Sequence, residues 1–200
     1  MHLDNAYTHV DPRHLAVLQG LDAHQIPHSR RTLIEHLAGT HNLLREWGND
    51  DAVCCAGLFH SVYGTRVFAA QCADFSKRDE ICAVIGERAE ALAYLFCVAD
   101  RDTFFAAARS TRPVIRDAVN QMDVPVTRQV LSPLLEIEAA NLVEHMPHRG
   151  GSTLRAMRWY RQAFADCRKL ISAAAAAAMN DSLDRYNGEV KCQSASASAG

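Results

Sequence analysis

Two hundred residues with 48% hydrophobic content and a formal net charge of -2 suit one globular domain with a sizeable core. Near-neutral charge and an isoelectric point of about 6.5 leave no basic footprint for nucleic acid. No apolar run approaches the roughly 20 residues that span a bilayer, and the N-terminal stretch lacks the basic start and apolar segment of a secretory signal.

Period-3.6 patterns recur throughout, with no internal repeat and no alternation long enough to claim a strand. The expected fold class is therefore all-α. A first helix is expected from Asp11 to about His24, because Asp caps free backbone N–H groups and Pro12 is tolerated in the first turn. Ile26-Pro27 ends it. The next helix is expected to open at His28 or Ser29 and run to Trp47, with Leu33, Leu37, Leu44 and Trp47 spaced for a buried stripe and Gly48 as its stop. Asn49, Asp50 and Asp51 offer caps for a short helix from Ala52 to Ser61, apolar on nearly every side and so expected at the centre of the bundle. Gly64 and Thr65 break it into a loop.

A single helix is expected from about Ser76 to Ala99, with Ile81, Val84, Ile85, Ala89, Leu92 and Phe96 on one face, ending at Asp100-Arg101-Asp102. The stretch around Pro113 and Pro125 yields no assignment. LSPLLEIEAANLVEHM returns to a helical pattern with Pro133 near its start. A last helix is expected from Ser152 to about Tyr186, through RWYRQAF and the alanine run Ala173 to Ala178. Residues 191–200, small and polar, read as a disordered tail. The expected layout is one domain over residues 1–190, with a core at 11–145 and the C-terminal helix at 152–186. Seven cysteines form an odd set without a CxxC, which points to reduced thiols in a cytoplasmic protein.

The chemistry-bearing stretch is HSRRTLIEHLAGTHNLLREWG followed by AGLFHSVYGT. It sets His28 at the start of one helix and His60 at the end of a buried one, where an imidazole can face a metal away from solvent. The layout resembles the HD superfamily of metal-dependent phosphohydrolases, in a branch where the Asp after the second histidine is Ser61. That resemblance implies an HD-domain-like bundle of about six to eight helices. It also implies a divalent metal (Fe, Mn or Zn) held by His28, His60 and Asp100, the last in AYLFCVADRDTF. Its usual chemistry is hydrolysis; some HD-like proteins oxidise their substrates with two irons.

Serine is a weak, neutral ligand, so either other acids enter the shell, with Glu35, Glu87 and Glu90 as candidates, the last two three apart on one helix face, or the metal is gone. On a continuous helix His36 lies about 80° round from His28 and roughly 12 Å further along. It is therefore expected to reach substrate rather than share a metal. Catalytic roles are assigned to His36, Glu87 and Glu90, and substrate binding to Arg31, Ser61, Tyr63 and Thr65; Arg30 and Arg101 are further anion clamps. His145 and His148, flanking Pro147, read as a polar connector. The functional expectation is a metal-dependent enzyme acting on a small polar, anionic metabolite. The alternative is a metal-free scaffold that binds a small ligand. A homodimer through the C-terminal helix is compatible with either.

Overall fold

The computed structural model describes residues 7–65, 72–148 and 154–197. Nine helices are assigned there: α1 (Pro12–Gly20), α2 (Leu33–Glu46), α3 (Asp51–Phe59), α4 (Arg78–Ile85), α5 (Glu87–Val98), α6 (Asp102–Ala108), α7 (Arg128–His145), α8 (Leu154–Asp166) and α9 (Ala173–Ala197). The chain is thus mostly helical, with α3 at the centre. Every residue of α3 from Val53 to Phe59 is buried, as its all-round apolar pattern requires, and α2, α5 and α7 pack around it. Asp50 caps it by accepting from Val53 N at 3.0 Å. The buried apolar cluster extends from Val10 to Leu183, so α7, α8 and α9 share the core of the N-terminal helices.

Several boundaries differ from the sequence reading for identifiable reasons. His28 does not open a helix. It ends strand β1 (Pro27–His28), which pairs antiparallel with β2 (Arg31–Thr32) through a turn with Ser29 at φ 59°. The helix begins only after a capping box, in which Thr32 N and Thr32 Oγ1 both donate to Glu35 Oε2 at 2.7 Å. The helix expected from Ser76 to Ala99 is two, broken at Gly86, whose φ of 86° no ordinary helix residue adopts.

The unassigned stretch around Pro113 and Pro125 forms a hairpin of β3 (Val114–Asp117) and β4 (Met122–Pro125), too short for alternation to register. Asp117 closes its turn by accepting from Val119 N at 2.9 Å and Asn120 N at 2.8 Å. The last helix is also two, because Ser172 caps α9 by accepting from Ala175 N at 3.0 Å, while its own N–H donates to buried Glu136. α9 then continues to Ala197 rather than ending in a disordered tail from residue 191, since extending a formed helix needs only one bond per residue. Residues 198–200 lie outside the described residues.

Candidate metal centre

The turn at Ser29 folds His28 back over the start of α2, and this brings it onto His36. The two rings stack with centroids 4.2 Å apart and planes at 18°. His145, the last residue of α7, closes the group at 5.0 Å from His28 and 5.9 Å from His36, ring to ring. One ligand atom from each of His28, His36 and His145 lies within 4.8 Å of the others, the one such metal-capable group among the described residues. His36 is fully buried, His28 8% exposed.

Behind the triad sits His60, at the C-terminus of α3 and fully buried. Its Nδ1–H donates to Gly57 O at 2.6 Å, so Nε2 is its acceptor nitrogen, and that atom faces His36 Nε2 at 3.2 Å. Two imidazole nitrogens so placed need one proton or one cation between them. The spacing also suits two ligands of one metal, since nitrogens roughly 2.1 Å from a tetrahedral centre lie roughly 3.4 Å apart. The other nitrogen of His36, Nδ1, meets Glu144 Oε2, whose second oxygen pairs with Arg31.

Burial and then the neighbouring His36 and His145 push His28 down to about 3. Burial and then Arg31 do the same to His36, also to about 3. Burial holds His60 well below the ordinary imidazole value. All three are neutral at physiological pH and retain lone pairs, the form that binds metal. Burial outweighs Arg31 at Glu144 and raises it to about 7.

The triad forms one wall of a cavity of about 860 Å³ that also touches Ser61, Thr65, Asp100, Arg30, Arg101 and Glu138. Asp100 is held there by the β3–β4 hairpin, its N–H donating to Arg116 O at 2.8 Å. Arg101 lies over the Phe96 ring at 4.3 Å and pairs with buried Glu138 at 3.4 Å. Phe105, Trp159 and Tyr160 line the side supplied by α6 and α8.

Of the expected ligands, His28, His60 and Asp100 do not converge as a set. His60 meets His36, and Asp100 lies along the cavity outside the histidine group. Ser61 and Thr65 do line the cavity, whereas Arg31 is committed to Glu144 and Tyr63 donates to Glu90 at 3.1 Å. Glu90 is no free acid: Arg78 grips both its oxygens at 2.7 and 2.8 Å outside the cavity. Glu87 is exposed on the first turn of α5, and Glu35 is spent on the capping box.

The 12 Å separation of His28 and His36 fails because it presumes one continuous helix through Ser29. His145, read as a connector, was the residue missed. Its signal was a polar stripe, Glu138, Asn141 and His145 at i, i+3 and i+7, on helix α7.

The family described as Domain of unknown function (DUF6817) matches residues 17–101, under half of the chain. The matched span holds His28, His36 and His60 and stops short of Glu144 and His145. No curated protein and no solved structure matches.

Proposed function

We propose that this chain is a divalent-metal-dependent enzyme of HD-like architecture, hydrolytic in chemistry, acting on a small polar, anionic metabolite in the cavity beside the histidine triad. The observation that carries the reading is the convergence of His28, His36 and His145 within 4.8 Å on the wall of that cavity. The donor set fits an ion of the Fe, Mn or Zn type: three imidazoles, of which His28 and His36 are held neutral by burial, a carboxyl group behind one of them, and an open side on which substrate can enter. Such an ion supplies Lewis acidity and lowers the pKa of bound water.

The chain's own residues account for the rest. Around the cavity Arg30 and Arg101 face Asp100, Asp102 and Glu138, so the protein charges alone do not favour an anion. A divalent cation among neutral histidines reverses that balance, leaving Arg30 and Arg101 to orient the anionic group. Ser61 and Thr65 offer hydroxyls on the same wall. No helix among the described residues is long and apolar enough to cross a membrane; we place the protein in the cytoplasm, acting alone or as a homodimer.

A second reading, a metal-free scaffold binding a small ligand, draws on the fact that both ring nitrogens of His36 already have partners within the chain. Hydrolysis of p-nitrophenyl phosphate and of a panel of small phosphate esters, with Mn²⁺, Fe²⁺ or Zn²⁺ supplied, separates the two. The enzyme reading expects metal-dependent turnover lost in His28→Ala and His145→Ala. Metal-loaded protein inert towards the whole panel favours the scaffold.

A further inference from the structure

His36 is gripped at Nδ1 by a residue more than a hundred positions away in sequence. Glu144, on the last turn of α7, places Oε2 against that nitrogen and Oε1 against the Arg31 guanidinium. Arg31 closes the arrangement by donating to Glu144 O at 3.4 Å and approaching His36 Nδ1 at the same distance. The Glu144 side chain is 7% exposed, so water does not compete for these contacts.

The carboxyl can lie there only because α2 has no side chain at Gly39, one turn beyond His36. A Cβ at Gly39 would stand 2.6 Å from Glu144 Oε1 and 2.9 Å from its Cγ. Glycine inside a helix is destabilising relative to alanine, and here the vacated volume is filled by a carboxyl group in contact with a histidine of the metal-capable group.

We infer that Glu144 is the positioning residue of the centre: it holds His36 by Nδ1, so that Nε2, which faces His60 Nε2 at 3.2 Å, is the nitrogen through which His36 acts as a ligand, and Gly39 reserves the volume this requires. The inference rests on the metal-centre reading above and adds what fixes the tautomer and rotation of one ligand. A metal-bound histidine with its other nitrogen unanchored can rotate or bind through the wrong atom, and loss of such outer partners typically weakens metal binding 10- to 100-fold. Glu144 lies outside the span matched by the family, as does His145, so this half of the site comes from α7.

The test compares wild type, Glu144→Gln and Gly39→Ala, with Glu90→Gln as a buried carboxylate outside the cavity. Zinc affinity by competition with a chromophoric chelator and the visible absorption of bound Co²⁺ read the centre. The imidazole ¹⁵N signals of His36 in metal-free protein read its tautomer without any metal. The expected result is zinc binding weakened 10- to 100-fold in Glu144→Gln and at least several-fold in Gly39→Ala, a changed cobalt spectrum and shifted His36 signals, with Glu90→Gln like wild type. Unchanged zinc affinity and unchanged His36 signals in both variants would overturn it. If wild type takes no metal while the His36 signals still shift, Glu144 keeps its positioning role and the metal reading falls; should Gly39→Ala not fold, Glu144→Gln decides alone.

Discussion

Acidification from pH 7 to pH 5 is expected to destabilise the metal-free protein, because its buried histidines are neutral in the folded state. His28 and His36 titrate at about 3, and His60 well below its ordinary value, through burial. Unfolded imidazole takes up its proton near 6.5, so between the unfolded and folded values the unfolded chain binds more protons and stability decreases as the pH is lowered. For a fully buried group the loss between pH 7 and pH 5 is about 2 kcal/mol; His28, bordering the cavity, contributes about half of that.

The gross loss is therefore about 5 kcal/mol. Glu144 acts with the opposite sign. Burial raises its folded value to about 7, so the folded state holds a proton that the unfolded state releases above the ordinary carboxylate value. Acidification to pH 5 returns about 2 kcal/mol through it, and Glu138, also raised by burial, works in the same direction. The net expectation is a loss of about 2–3 kcal/mol, or a midpoint roughly 5–10 °C lower at pH 5 than at pH 7 for a chain of this size. Urea unfolding at several pH values in the presence of EDTA measures it. Equal or greater stability at pH 5 would refute the neutral, buried state of the histidines.

Two further predictions concern the scaffold. Gly57→Ala drives a methyl into fully buried Leu44 Cδ1 where α2 crosses α3. Overpacking of about 1–3 kcal/mol against about 1 kcal/mol of helix propensity leaves a net loss of about 0–2 kcal/mol, read by thermal unfolding; a stability gain would mean that Leu44 yields freely. Glu90→Gln removes the bidentate partner of Arg78, with an expected stability loss of about 2 kcal/mol and no change in metal content or turnover. Loss of either at unchanged stability would return Glu90 to the catalytic machinery.

The helices were legible where the pattern was local. The all-round apolar run Val53–Phe59 reads as a central helix and is one, and Asp11 and Asp50 cap where a capping residue is expected. What escaped was set by single backbone positions. Ser29 in the left-handed region turns an expected helix start into a hairpin, and Gly86, also at positive φ, splits an expected continuous helix into two. The first of these matters most for the site, since it converts His36 from a distant neighbour of His28 into its stacking partner. Glu144 and His145 were beyond reach for another reason: their meaning depends on α7 packing against α2, a contact across more than a hundred residues that no local periodicity encodes. His60 was found by its place at the end of a buried helix, but its partner is His36 rather than Asp100.

The most direct measurement is metal content by elemental mass spectrometry on protein purified without an affinity tag, for wild type, His36→Ala, His145→Ala and Asp100→Ala. Near-stoichiometric Fe, Mn or Zn is expected in wild type, retained in Asp100→Ala and lost in His36→Ala and His145→Ala. Folded wild type that holds no metal and takes up none when supplied, or metal lost on removing Asp100 but kept without His145, would contradict that expectation.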